Sequence, residues 1–294
     1  MGAGVDHIKY ASALTVNPEA DIVIMEAHAV FARRVILVGR TWVLRQHFFN
    51  QRRQFGMAGL MALHGGSGSW THWLRMLGPL TQAGHAVWAL DLPGFGASDP
   101  LPHQQDADDM LPLLAASLQH WLPGQALQIM GFSLGGMTAA LLAAAYPALV
   151  RQLVLVGPPG LGLRDKPLYR LKGWRHLADP VEQLRCHQYN LVALMLADAR
   201  QIDRATLALH TANVQRDRLP RRRLASTDIL RQTLPRITCP VQAVYGQEDV
   251  LYRGLWPQVA ACFGGRLQLI AGAGHWVQYE QPGVFAEVVL PMLL

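Results

Sequence analysis

Three side chains in this sequence have the types and spacing for covalent catalysis: Ser133, Asp249 and His275. A serine hydroxyl is a weak nucleophile at neutral pH. It needs a base to take its proton, and the base needs an acid to orient it. Ser133 lies in Gly131-Phe132-Ser133-Leu134-Gly135, a G-x-S-x-G pentapeptide between an apolar run and a helical pattern. So sharp a turn can present a side chain only if the residues two positions away are small, and Gly131 and Gly135 meet that need. The helix that follows aims its first N–H groups at the place where an oxyanion would form. The expected base is His275, in Ala271-Gly272-Ala273-Gly274-His275-Trp276, and the expected acid is Asp249, in Gly246-Gln247-Glu248-Asp249, with Glu248 as its neighbouring competitor. Acyl transfer also needs donors for the oxyanion. Leu134 N–H is one, and the glycine loop His64-Gly65-Gly66-Ser67-Gly68-Ser69 offers Gly66 N–H as the second. No lysine follows that loop in the phosphate-loop spacing, which excludes the nucleotide-binding reading. Gly65, Phe132 and Trp276 are the candidate substrate-binding residues, Trp276 because it adjoins the base. Trp70, Trp73, Met137, Trp174 and Met195 either line an apolar acyl pocket or fill the core.

The elements that must position these groups can be read from the same pattern. Apolar runs at 59–63, 86–90, 126–130, 153–156, 241–245 and 266–270 read as buried strands. Helical patterns cover 70–80, 106–121, 136–146, 255–262 and the stretch from 282. Alternating strands and helices give a mainly parallel sheet covered on both faces, with ligands at the carboxyl ends of its strands. Each chemistry-bearing residue falls just after its own strand. Residues 34–45 read as a β-hairpin around Gly39-Arg40, and 47–55 fits no element. Residues 161–230 break the alternation. They read as helical and arginine-rich, an insertion placed as a cap over the site. The expected organisation is a loose tail at 1–25, a core of 26–160 with 231–294, and the cap at 161–230.

Composition narrows the function classes. Half the chain is hydrophobic and only 16% is charged, which excludes a disordered protein. No apolar run is long enough to span a bilayer, and the first residues lack the pattern of a secretory signal. Three cysteines at scattered spacings, Cys186, Cys239 and Cys262, suggest free thiols rather than a disulfide frame or a zinc site; the expected location is cytoplasmic. No metal constellation is present, and no cofactor is expected. The net charge of +6 is concentrated in arginines at 164–175 and 216–223. These read as a solvated face, or as a means of steering or binding an anionic substrate. No nucleic-acid motif accompanies them. A homo-oligomer remains open.

Taken together, the His64 loop, the turn Asp91-Leu92-Pro93-Gly94-Phe95-Gly96-Ala97-Ser98, the Ser133 pentapeptide and the Asp249 and His275 loops resemble the α/β-hydrolase family. The resemblance runs from about residue 30 to the C-terminus. It implies a mainly parallel, eight-stranded sheet with helices on both faces and a helical cap insertion. It also implies Ser133 as nucleophile, His275 as base, Asp249 as acid, and Gly66 and Leu134 as the oxyanion hole. The Asp91 turn is a structural signature in that family. Serine at the nucleophile position argues against haloalkane dehalogenases and epoxide hydrolases. His275-Trp276-Val277-Gln278-Tyr279-Glu280 is similar to the tail of meta-cleavage-product hydrolases, which cleave a carbon–carbon bond in a diketone. Phe132-Ser133-Leu134-Gly135-Gly136, where that subfamily carries Asn-Ser-Met, instead resembles esterases, enol-lactone hydrolases and perhydrolases. The resemblance therefore implies a cofactor-independent esterase acting on a small-molecule ester. A carbon–carbon hydrolase and a receptor-like ligand-binding protein are the alternatives.

Overall fold

The protein is described by a computed structural model covering residues 22–25, 35–38, 59–103, 105–164 and 166–293. Its sheet is built from β1 (Ile22–Met25), β2 (Val35–Val38), β3 (Gly59–Leu63), β4 (Ala86–Leu90), β5 (Leu127–Phe132), β6 (Val150–Val156), β7 (Val241–Gly246) and β8 (Leu267–Ile270). The spatial order is β1-β2-β4-β3-β5-β6-β7-β8. The six strands from β3 to β8 run parallel, and β1 and β2 extend the β4 edge in antiparallel pairing. From β3 the chain steps outward to β4, then crosses to β5 on the other side. That reversal leaves a crevice at the carboxyl ends of β3 and β5.

The continuous apolar strands follow from burial on both faces. Every residue of β3, β4 and β5 is buried. Successive side chains point to opposite sides, so each strand feeds two cores. Met61 and Leu63 join one core with Leu114, Leu118 and Met137, whereas Leu60 and Ala62 join the other with Trp73, Leu77, Phe285 and Val289. The helices Leu111–Trp121 and Leu134–Ala145 contribute to the first, and Leu74–Gln82 and Pro282–Val289 to the second. The Leu134–Ala145 helix is alanine-rich and apolar almost all round, as suits a helix packed on nearly every side.

Three expectations change. Ile22–Met25 is a strand, not part of a loose tail. It pairs with β2 from Ile22↔Val38 to Met25↔Val35. The antiparallel partners of Val35–Val38 are thus β1 and β4, and the other half of the expected hairpin, 41–45, lies outside the described residues, as do 1–21 and 47–55. Third, the insertion between β6 and β7 is not helical from residue 161. Among the described residues of 161–179 no helix forms. Gly160 and Gly162 take left-handed φ values of 87° and 62°, and Pro158, Pro159 and Pro167 withhold N–H donors. The helix Pro180–Asn190 then starts where Asp179 caps Val181 N–H and Pro180 occupies the first turn. A π-helical turn, Leu191–Met195, and the helices Arg204–Gln215 and Ile229–Thr233 follow. Among the described residues no helix is long and apolar enough to cross a membrane.

Candidate active site

β5 ends at Phe132 and the next helix begins at Leu134, so Ser133 is the whole of the turn between them. It holds φ 51° and ψ −118°, a conformation that costs a side-chain-bearing residue about 1–3 kcal/mol. Two backbone bonds hold it there: Ser133 N–H donates to Val156 O at 2.8 Å, and Met137 N–H donates to Ser133 O at 3.0 Å. The flanking glycines have a steric cause. A Cβ on Gly131 would lie 2.5 Å from Gly135 O, and one on Gly135 would lie 2.6 Å from Leu63 O. Gly136 is equally constrained, with a Cβ falling 2.8 Å from Gly131 O, so the tight packing extends one residue past the pentapeptide.

The loops after β7 and β8 bring Asp249 and His275 to Ser133. His275 Nε2 is 2.9 Å from Ser133 Oγ, and His275 Nδ1 is 2.8 Å from Asp249 Oδ2. Asp249 is fully buried, His275 nearly so, and Asp249 Oδ1 accepts Leu251 N–H at 2.9 Å. Glu248 points elsewhere, 3.7 Å from Arg253 and 43% exposed, so Asp249 is the acid in contact with the histidine. Gly157, at φ 54°, gives the three residues room. A Cβ there would sit 3.2 Å from both Asp249 Oδ2 and His275 Nδ1. The His275 loop is braced by Glu280, whose carboxylate accepts Gly274 N–H at 2.6 Å, Ala197 N–H at 3.1 Å and Asp198 N–H at 2.7 Å. Trp276 N–H adds a bond to Met195 O at 2.7 Å. The insertion therefore helps to hold the histidine.

The glycine loop after β3 is fixed by two buried histidines. His64 Nδ1–H donates to Gly65 O at 2.7 Å while its Nε2 accepts Leu92 N–H at 2.9 Å. His72 Nδ1 accepts Gly65 N–H at 3.2 Å. Burial pushes the pKa of both imidazoles down, that of His72 well below its ordinary value, and a neutral ring is what accepting an N–H requires. Gly65 N–H is thus occupied. Gly66 N–H and Leu134 N–H make no hydrogen bond to another described residue. The Asp91 carboxylate ties its own turn together, accepting Trp70 N–H and Ala97 N–H at 2.8 Å each.

The three residues expected to bind substrate have other contacts. Phe132 is fully buried, its ring centroid 4.9 Å from that of His275 and 5.3 Å from that of His72, and Gly65 packs against it. Trp276 is fully buried, stacked on Tyr279 at 3.9 Å, with its indole N–H donating to His72 O at 3.0 Å. These contacts join the rings to His275 and to the glycine loop. Trp73 and Met137 are likewise core. The reading of the sequence missed His72, Glu280, Asn213, Asp217 and Arg222. Asn213 accepts from Ser69 Oγ at 2.8 Å and donates to Thr71 Oγ1 at 2.9 Å, fastening the Arg204–Gln215 helix to the end of the glycine loop. Asp217 lies within the arginine run read as a solvated face, yet it accepts Ser67 Oγ–H at 2.6 Å. Among the described residues no group of histidine, cysteine and carboxylate side chains is arranged to hold a metal ion.

The architecture is that of the α/β-hydrolase fold, and residues 60–181 match the family model described as the alpha/beta hydrolase fold. The 2-hydroxy-6-oxo-6-phenylhexa-2,4-dienoate hydrolase of Comamonas testosteroni is 27% identical over 254 residues, covering 80% of this chain and 87% of its own. The 2-hydroxy-6-oxononadienedioate/2-hydroxy-6-oxononatrienedioate hydrolase of Klebsiella pneumoniae subsp. pneumoniae is 26% identical over 258 residues, covering 81% and 88%. Among solved structures, a carboxylesterase of Bacillus subtilis superposes with a TM-score of 0.70 at 17% identity, covering 92% of this chain and 91% of its own, which is a likeness of fold.

Proposed function

We propose that the protein is a cofactor-independent serine hydrolase of carboxylic esters. The observation that carries this reading is the unbroken line from Ser133 Oγ through His275 to Asp249, at 2.9 and 2.8 Å. Ser133 Oγ attacks the ester carbonyl carbon as His275 Nε2 takes its proton. Asp249 keeps the other proton on Nδ1 and stabilises the imidazolium. The carbonyl oxygen becomes an oxyanion between the N–H groups of Gly66 and Leu134, next to the first turn of the Leu134–Ala145 helix. His275 returns the proton to the departing alkoxide, leaving an acyl group on Ser133. A water then attacks the acyl carbon, gives a proton to His275, and the carboxylic acid leaves with Ser133 restored.

The insertion 161–230 acts as a cap in this reading. Its bonds to the loops of Ser69 and Gly94, to Trp276 and to Glu280 support that role. The test is initial-rate hydrolysis of p-nitrophenyl esters from acetate to decanoate beside a Ser133→Ala control. Rapid turnover with a chain-length optimum and loss in the variant is the expected result. Turnover that survives Ser133→Ala would remove the nucleophile assignment.

A second reading, carbon–carbon bond hydrolysis of a dienoate, is favoured by the names of the curated relatives. Slow ester turnover by folded protein, together with fast loss of a 2-hydroxy-6-oxo-dienoate chromophore, would select it.

A further inference from the structure

Arg222 reaches the glycine loop from the insertion. A Cβ on Gly66 would lie 3.1 Å from Arg222 Nε and 3.5 Å from its Cδ. The guanidinium therefore rests on the face of the residue that offers an N–H to the oxyanion. Arg222 Nε is covered by neighbouring atoms and has no hydrogen-bond acceptor among the described residues, while 35% of the side chain stays exposed. A buried donor without a partner is costly, and a native site tolerates one where a ligand completes it.

The group is held rigidly. Its Nη2 pairs with Asp217 Oδ2, the same oxygen that accepts from Ser67 Oγ at 2.6 Å. Asp217 is itself buried and fixed: its Oδ1 accepts Leu219 N–H at 3.2 Å, and its carbonyl accepts from Arg175 at 2.9 Å. The guanidinium also lies 5.7 Å from the centre of the Phe95 ring. Asp217 thus fixes Arg222 and the glycine loop relative to each other.

The charge balance selects the ligand. Asp217 compensates the guanidinium, so Nε–H is an oriented donor in a pair of no net charge. A substrate carboxylate would meet the field of Asp217 as well as that of Arg222. A neutral oxygen would meet only an unused N–H. An oxygen on the carbon next to an ester carbonyl, with its C–O bond syn to C=O, lies beside the carbonyl oxygen and within the same group of donors. We propose that Arg222 is a specificity-determining residue whose Nε–H binds an ether or hydroxyl oxygen α to the scissile carbonyl, so that the preferred substrates are esters of α-alkoxy or α-hydroxy acids. This rests on the ester-hydrolase reading above.

The test compares p-nitrophenyl methoxyacetate with p-nitrophenyl butyrate, which differ by one oxygen in place of a methylene. Each kcat/KM is divided by the ester's hydroxide-catalysed rate constant to remove intrinsic reactivity. The expected corrected preference for methoxyacetate in the unsubstituted protein is about tenfold, the size of one hydrogen bond in a buried site. It falls toward unity in both Arg222→Met and Arg222→Lys. The lysine variant keeps a cation for Asp217 and so remains informative if the methionine variant does not fold. A wild-type ratio near one, or an equal fall on both esters in the lysine variant, overturns the proposal. A preference for p-nitrophenyl hemisuccinate that disappears in Arg222→Lys also overturns it, by assigning the arginine to a carboxylate. Turnover of both esters that survives Ser133→Ala sinks the ester-hydrolase reading instead. Ser133-dependent turnover with an unresponsive ratio sinks only the role of Arg222.

Discussion

The turn at Ser133 and the segment 217–222 meet at the Gly65 and Gly66 loop, but opposite means hold them there. The turn is a local solution. Three glycines within six residues let the backbone close so tightly that a Cβ at any of them would strike backbone or a neighbouring carbonyl. The segment is held by long-range polar bonds: Asp217 to Ser67, Arg218 N–H to Gly94 O at 2.8 Å, and the Arg218 guanidinium to Ser98 O. Where sterics dictate the shape, a short motif reports it. Where partners lie more than a hundred residues apart in the chain, the same residue types read as a charged surface.

This contrast is open to attack, first at the turn. Asp249→Asn removes the acceptor that fixes the His275 tautomer, and kcat on a p-nitrophenyl ester is expected to fall about 10⁴-fold with the melting temperature little changed. A fall of less than tenfold would mean that Asp249 does not orient the base. Gly135→Ala places a methyl 2.6 Å from Leu63 O, at the buried end of β3. The expected loss is more than about 3 kcal/mol in urea unfolding, because backbone cannot yield as a side chain can. Wild-type stability there would show that the turn has slack.

The tethers are expected to give smaller effects. Glu280→Gln exchanges one carboxylate oxygen for a donor that faces backbone N–H groups, and should cost about 2 kcal/mol. It should also lower kcat by loosening His275, as steady-state kinetics would record. Loss of stability with kcat unchanged would confine Glu280 to the fold. A comparable effect, set by pH, concerns His210 on the Arg204–Gln215 helix, whose burial pushes its pKa down to about 4. Below the ordinary histidine pKa, near 6.5, the unfolded chain takes up a proton that the folded chain refuses. Stability therefore falls as pH drops from 6.5 to about 4, by up to about 3 kcal/mol from this residue. His210→Gln should flatten that slope in urea unfolding at pH 7 and 5. An unchanged slope would show that His210 opens to water in the folded state.

The legible and illegible parts of the sequence divide along the same line. The six parallel strands were readable because burial on both faces demands unbroken apolar runs, and β3, β4 and the glycine turn stand where those runs and motifs place them. Asp249 was separable from Glu248 only by analogy, since two adjacent carboxylates on one loop look alike until the loop is folded. Residues 161–179 were misread as helix because their arginines and leucines suit one, while Gly160, Gly162 and Pro167 prevent it. The direction of the Trp276 ring was not legible, because adjacency to His275 says nothing about which way it turns; in the fold it stacks on Tyr279. Asp217 and Arg222 were hidden by composition, one acid among basic residues, and only tertiary contact with Ser67 and Gly66 distinguishes them.

The central claim, that Ser133 is the activated nucleophile, is tested most directly by covalent labelling with a fluorophosphonate, followed by intact-mass and peptide mass spectrometry. The account predicts one adduct per chain, on Ser133, formed much more slowly in His275→Ala and absent in Ser133→Ala. A folded protein that hydrolyses esters but takes no label on Ser133, or carries it on another residue, would contradict the account.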